Sequence, residues 1–140
     1  MTAADGQTFE WPVRVYYEDT DAQGVVYYAN YFRFLERART EWLGSLGVDM
    51  VQLMAEERRI FVVAEVQARF LVPARLNDNL IVTARLTGLT RVSFDIEQNI
   101  YRGAVDGDQL LAANVKAAYL DADTMRPKRI PSTLFEESQS

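Results

Sequence analysis

The sequence contains neither cysteine nor histidine. The first absence excludes disulfides, a thiolate nucleophile and a thiolate metal site; a reducing compartment suits it, and a cytoplasmic location is expected. The second removes the commonest general base, the Ser-His-Asp triad and the usual zinc ligand together. Chemistry here must run on carboxylates, lysine, hydroxyls and backbone N–H groups. Long apolar runs are also missing: no segment approaches the length of a membrane span, and residues 1–7 lack the basic start and apolar stretch of a secretory signal. Basic charge is in deficit, with Lys+Arg 15 against Asp+Glu 20 and a formal net charge of -5. General nucleic-acid binding, which needs a basic surface to neutralise phosphates, is therefore not expected.

What is present suits one packed unit. The 140 residues are 49% hydrophobic, enough for a core without staples, and no repeat or linker interrupts residues 1–140. Trp11 to Tyr17 is rich in β-formers and reads as a strand. From Tyr31 the apolar residues Phe34, Leu35, Ala38, Trp42, Leu43 and Leu46 keep the spacing of one helical face, with Asn30 as the expected N-cap and Gly47 as the C-terminal glycine. A shorter helical piece is expected from about Asp49 to Arg58. The period then changes to two. Val62, Ala64, Val66, Ala68 and Phe70 share one face, and the alternation returns through Leu80–Leu86, Val92–Ile100 and Leu111–Tyr119. Four strands in an antiparallel meander, covered by one long helix, define a two-layer α+β domain. The tail beyond Pro131 reads as peripheral.

Glu18, Asp19 and Asp21 form the conspicuous cluster, at a strand exit and just before Gly24 and the buried helix. Acids before a helix face its positive end, and acids with glycine are ordinary turn residues, so a structural explanation suffices for many such clusters. Asp-x-Asp pairs also bind divalent cations, but usually with further oxygen ligands; no metal is expected. A phosphoryl-transfer aspartate needs a larger α/β domain than this chain supplies.

The run Tyr17-Glu-Asp-Thr-Asp21-Ala-Gln-Gly24-Val-Val-Tyr-Tyr28-Ala-Asn30-Tyr31, followed by Glu36-Arg-Ala-Arg39-Thr-Glu-Trp42, resembles the 4-hydroxybenzoyl-CoA thioesterase family of hotdog proteins. Within it, the nearest likeness is the Tol-Pal-associated acyl-CoA thioesterase branch of the YbgC type, from about Trp11 to Pro131. The resemblance implies a five-stranded antiparallel sheet wrapped around one long helix, two chains paired into a dimer, and dimers associated into tetramers. It makes Asp21 the carboxylate that attacks the thioester or activates water, with Asp19 in support and no cofactor beyond the coenzyme A of the substrate. It places an oxyanion-binding N–H near Tyr28, sets Tyr17 beside the site, and gives Gly24 and Asn30 to the substrate-facing loop and helix start. Many members of that branch carry histidine where this chain has Tyr28, and tyrosine there is similar to the aromatic-thioester branch, so the acyl preference stays open. So does the choice between a covalent and a general-base mechanism.

Glu36 is a helix carboxylate of the kind another hotdog subgroup uses catalytically, but Arg39 at i+3 points to an ion pair or a structural role. Arg91 matches a basic position by which the family holds the nucleotide end of coenzyme A. Arg126, Lys128 and Arg129 form a second candidate patch for phosphate. The resulting expectation is an acyl-CoA thioesterase. Its rivals are a hotdog hydratase, whose site needs a histidine this chain lacks, and a non-catalytic module binding acyl-CoA or acyl carrier protein.

Overall fold

A computed structural model of the chain describes residues 7–135. The expectations for the first six residues and for the last five lie outside the described residues. Strand β1 (Phe9–Arg14) is followed by a short 3-10 turn at Tyr17–Asp19, helix α1 (Tyr28–Ser45) and a single helical turn, α2 (Met50–Gln52). A π-helical turn at Leu53–Glu57 leads into β2 (Arg59–Phe70), and β3 (Asn79–Leu89), β4 (Ser93–Arg102) and β5 (Gln109–Asp121) complete the fold. All neighbouring strands are antiparallel, in the order β1-β3-β4-β5-β2.

The helix forms where its apolar period demands. Tyr31, Phe34, Leu35, Ala38, Trp42 and Leu43 are buried on one stripe and pack against the inner face of the sheet, including Val82, Ile96, Ile100 and Val115. Each fully buried Leu, Ile or Phe contributes about 1.5–3 kcal/mol relative to exposure. Gly47 ends the helix: at φ +91, its N–H reaches the Gly44 carbonyl while the Val48 N–H reaches Leu43, the Schellman pattern. At the other end the N-cap is Tyr27 rather than Asn30, and no side chain caps the helix. Asn30 lies in the first turn.

Three further expectations need correction. The meander holds only for β3, β4 and β5, because β2 crosses to the far edge and pairs with β5. The connection makes this crossing possible. The Leu71 and Val72 N–H groups donate to Leu110, Ala74 is buried under the start of the helix, and Asp78 accepts from Val15 on the opposite side. The uniform period of β2 is also broken, since the register shifts between Val63 and Glu65. A bulge inserts one residue, so Phe61 and Ala68 both pack on the core despite their odd separation. Finally, the tail is not peripheral as far as Phe135: that ring is 2% exposed and stacks on Trp42 at 5.8 Å. Two aromatic neighbours in space outweigh the polar residues around Phe135 in sequence.

Candidate active site

The acidic loop is built from local hydrogen bonds that give its two aspartates different jobs. Asp19 is 6% exposed, and its Oδ2 accepts from the Tyr16 N–H at 2.8 Å. Its carbonyl accepts from the Tyr27 N–H and from Asn30 Nδ2 at 2.9 Å, which ties the loop to the first turn of α1. Asp21, by contrast, is exposed. It sits at the tip of a tight reversal closed by Asp21 N–H to the Val25 carbonyl and Gly24 N–H to the Asp21 carbonyl. Its Oδ1 accepts from the Gln23 N–H at 2.9 Å and the Val25 N–H at 3.4 Å, leaving Oδ2 without a partner among the described residues. Gly24 stands at φ +78, where a side chain adds strain, although a Cβ there meets nothing within 4 Å.

The crossover connection clamps this loop from behind. Val26 N–H donates to Ala74, Leu76 N–H donates to Gly24, and Val25 bridges Arg75. Arg102 holds the connection through Asp78 at 3.0 Å and the Pro73 carbonyl at 2.8 Å. Tyr31 adds a further tie, its buried hydroxyl accepting from the Ala74 N–H at 2.9 Å; burial raises its pKa. The helix start therefore has a fixed place. Its Tyr28 and Ala29 N–H groups have no acceptor among the described residues, two orphan donors at the positive end of an 18-residue helix.

Aromatic rings border the same place. Tyr28 packs on Tyr27 at 4.9 Å and edge-on to Phe70 at 6.3 Å, and Phe70 also meets Tyr31 and Phe32. The neighbouring Tyr28 hydroxyl raises the Tyr27 pKa. Tyr27, Tyr28, Phe32 and Phe70 are all more than a third exposed, so the rings form an open apolar surface. Phe70 stood in a strand pattern in the sequence, and only the fold brings it to the helix. Tyr17 departs from its expected strand. It opens the 3-10 turn, is 82% exposed and has no ring partner among the described residues.

Arg91 lies elsewhere. The β3 strand begins beside the Asp21 loop and ends before the turn that carries Arg91, so the two lie at opposite ends of an 11-residue strand. There Arg91 does meet the second candidate patch. Its carbonyl accepts from the Ile130 N–H at 2.7 Å, and Arg91 and Arg129 line one cleft with Thr90, Ser132 and Phe135. Glu36 is another correction. It is exposed and makes no ion pair with Arg39 among the described residues.

Residues 15–137 match the model of the thioesterase-like superfamily, and the chain belongs to that family. Within it the chain stands among acyl-CoA hydrolases. It is 41% identical over 129 residues to the acyl-CoA thioester hydrolase YbgC of Escherichia coli O6:H1, covering 92% of this chain and 94% of that protein. A probable thioesterase from Bartonella henselae superposes with a TM-score of 0.82 at 33% identity, covering 89% of this chain and 99% of that one. The 4-hydroxybenzoyl-CoA thioesterase of Pseudomonas sp. strain CBS-3 shares the fold, with a TM-score of 0.83 over 92% of this chain and 97% of that one at 22% identity. Among the described residues, no helix is long and apolar enough to cross a membrane.

Proposed function

We propose that this chain, an acyl-CoA thioesterase, uses Asp21 as the carboxylate that attacks the thioester or activates water against it. The observation that carries this role is the pairing of an exposed, half-satisfied carboxylate with two orphan N–H groups at the start of α1. Thioester hydrolysis needs both. The carboxylate, as nucleophile or base, raises negative charge on the carbonyl oxygen, and N–H donors at a helix N-terminus stabilise that charge where it develops. Tyr28 presents the N–H and borders the acyl group with its ring. Gly24 and Asn30 hold the loop geometry against the substrate, and Tyr17 flanks the open side. No cofactor beyond the substrate's coenzyme A enters this scheme.

The exposed rings favour a bulky apolar acyl group, aromatic acids included. Arg91 and Arg129 suit the phosphates of coenzyme A or the phosphopantetheine of an acyl carrier protein. Their place at the opposite end of β3 from the Asp21 loop favours an arrangement in which Arg91 comes from another copy, in a homodimer or homotetramer. The lack of cysteine supports a reducing, cytoplasmic setting. A panel of aliphatic and aromatic acyl-CoAs assayed for free thiol release tests the reading. Binding of acyl-CoA without thiol release from any of them would leave only the rival binding module.

A further inference from the structure

A cavity of about 290 Å³ opens at the carbonyl end of α1, the end away from the Asp21 loop. The chain leaves the helix at Gly47, turns through α2 and the π-helical turn, and so lays a roof over the inner face of the sheet before β2 begins. Phe61, Leu53 and Leu134 give the cavity an apolar wall. Tyr119 of β5 stands among them, its ring 4.9 Å from that of Phe61.

Two independent features of this cavity are incomplete. The first is the Tyr119 hydroxyl. Tyr119 lines the cavity and is only 3% exposed, yet its hydroxyl makes no hydrogen bond with any described residue. A buried tyrosine hydroxyl ordinarily has a partner, because leaving it without one is costly. Burial and the Glu57 carboxylate raise its pKa, with Arg59 opposing them in part, so the group stays a neutral phenol that can both donate and accept.

The second feature is charge. Asp49, Glu56 and Glu57 line the cavity, no lysine or arginine does, and none of the three is in an ion pair among the described residues. Asp49 spends its Oδ1 on the Val51 and Gln52 N–H groups, whereas the Glu56 and Glu57 carboxylates accept no hydrogen bond from a described residue. Arg59, which follows them in the chain, is tied to Asp121 at 3.0 Å. Gly47 and Val48 also bring the negative end of the α1 dipole to the cavity wall. The missing element is therefore positive. A metal ion does not suit it, because no three carboxylates among the described residues stand close enough to hold one. The volume is at the lower end of the range for small-molecule pockets, about 300–1,000 Å³.

We propose that this cavity binds a small organic cation, a primary ammonium group carried on an apolar body the size of one ring. The ammonium donates to the Tyr119 hydroxyl oxygen and to the Glu57 carboxylate, and Glu56 adds negative charge on the exposed side. The apolar body lies on Phe61, Leu53 and Leu134, with the ring pair of Phe61 and Tyr119 favouring the positive charge as well. The site needs no part of the thioesterase reading.

Isothermal titration calorimetry of the full chain with phenethylamine, a cation at neutral pH, tests the site. Saturable binding of one amine per chain is expected, weakening as salt rises. Phenethyl alcohol keeps the ring and lacks the charge, so it should bind at least about tenfold more weakly, since hydrogen bonds to charged groups are the stronger ones. Tyr119→Phe keeps the ring and removes the hydroxyl. It should raise the Kd for the amine about tenfold without lowering the denaturation midpoint of the free protein, because the wild-type hydroxyl gives up no partner. An E56Q/E57Q chain, changed only at exposed positions, should bind the amine at least about threefold more weakly. Should Tyr119→Phe fail to fold, the carboxylate variant and the alcohol decide alone. No saturable binding by the wild type, equal affinity for amine and alcohol, or unchanged amine affinity in either folded variant overturns the proposal. Displacement of the amine by millimolar Mg²⁺ at constant ionic strength also overturns it, by showing a metal site instead.

Discussion

Replacing Asp21 by Asn separates chemistry from structure at the loop tip. Both bonds that the Asp21 side chain accepts, from the Gln23 N–H at 2.9 Å and the Val25 N–H at 3.4 Å, go to Oδ1, which the Asn side chain retains as a carbonyl oxygen. The change therefore costs the difference between charge-assisted and neutral bonds, about 1 kcal/mol at most for an exposed group. Catalysis loses the whole carboxylate. General-base assistance is worth about 10²–10⁴-fold, so kcat should fall at least roughly a hundredfold, which is about 2.7 kcal/mol of barrier. The larger effect must then appear in thiol release from acyl-CoA, with a chemical-denaturation midpoint close to wild type. Substrate affinity should survive, because the charge serves the transition state more than the ground state. Asp19→Asn provides the contrast: buried, and bonded to Tyr16, it should lose stability before activity. Folded Asp21→Asn protein with near-normal turnover, or a greater kcat loss at Asp19, would refute the assignment.

Arg91→Ala should raise KM for acyl-CoA more than it lowers kcat, while a short acyl-pantetheine substrate is indifferent; equal losses on both would place Arg91 in a structural role. Tyr31→Phe should destabilise the chain by about 1–3 kcal/mol in urea titration, because it strands the Ala74 N–H that donates to the Tyr31 hydroxyl. Backbone N–H donors of Thr124 and Asp123, aided by Arg59 and Lys128, hold the Asp121 carboxyl below its ordinary pKa. A folded pKa below the unfolded one contributes stability above the unfolded pKa and loses it as pH falls through the folded one. Melting temperature should thus drop on acidification below about pH 4, and the drop should be shallower in Asp121→Asn.

The strand faces were readable because each side chain alternates sides: Leu80, Val82, Ala84 and Leu86 are all buried, as are Phe94, Ile96, Gln98 and Ile100. The long helix was equally plain. What stayed hidden depends on contacts between distant segments. The crossing of β2 is decided by hydrogen bonds from residues 71–78 to both ends of the sheet, and the bulge near Ala64 only by pairing with β5. At the site, the acidic cluster and the helix start stood next to each other in sequence, so their meeting was expected. That Asp19 is buried and Asp21 exposed was not legible, because two aspartates in one turn have the same chemistry until the backbone chooses which to enclose. Arg39 looked like the natural mate of Glu36, one helical turn away, yet its fork turns to Gln98 on β4 instead.

The division of labour between the aspartates has a consequence for how the enzyme can change. Asp19 anchors the loop to Tyr16, Tyr27 and Asn30, while the crossover connection secures residues 24–26 from behind. Ala22 and Gln23 are left as exposed positions on a pinned scaffold. Such a tip can accept new side chains without endangering the fold. A library randomised at these two positions should remain largely soluble and folded while spreading in acyl selectivity, so this is where substrate range can drift under selection and where redesign should begin.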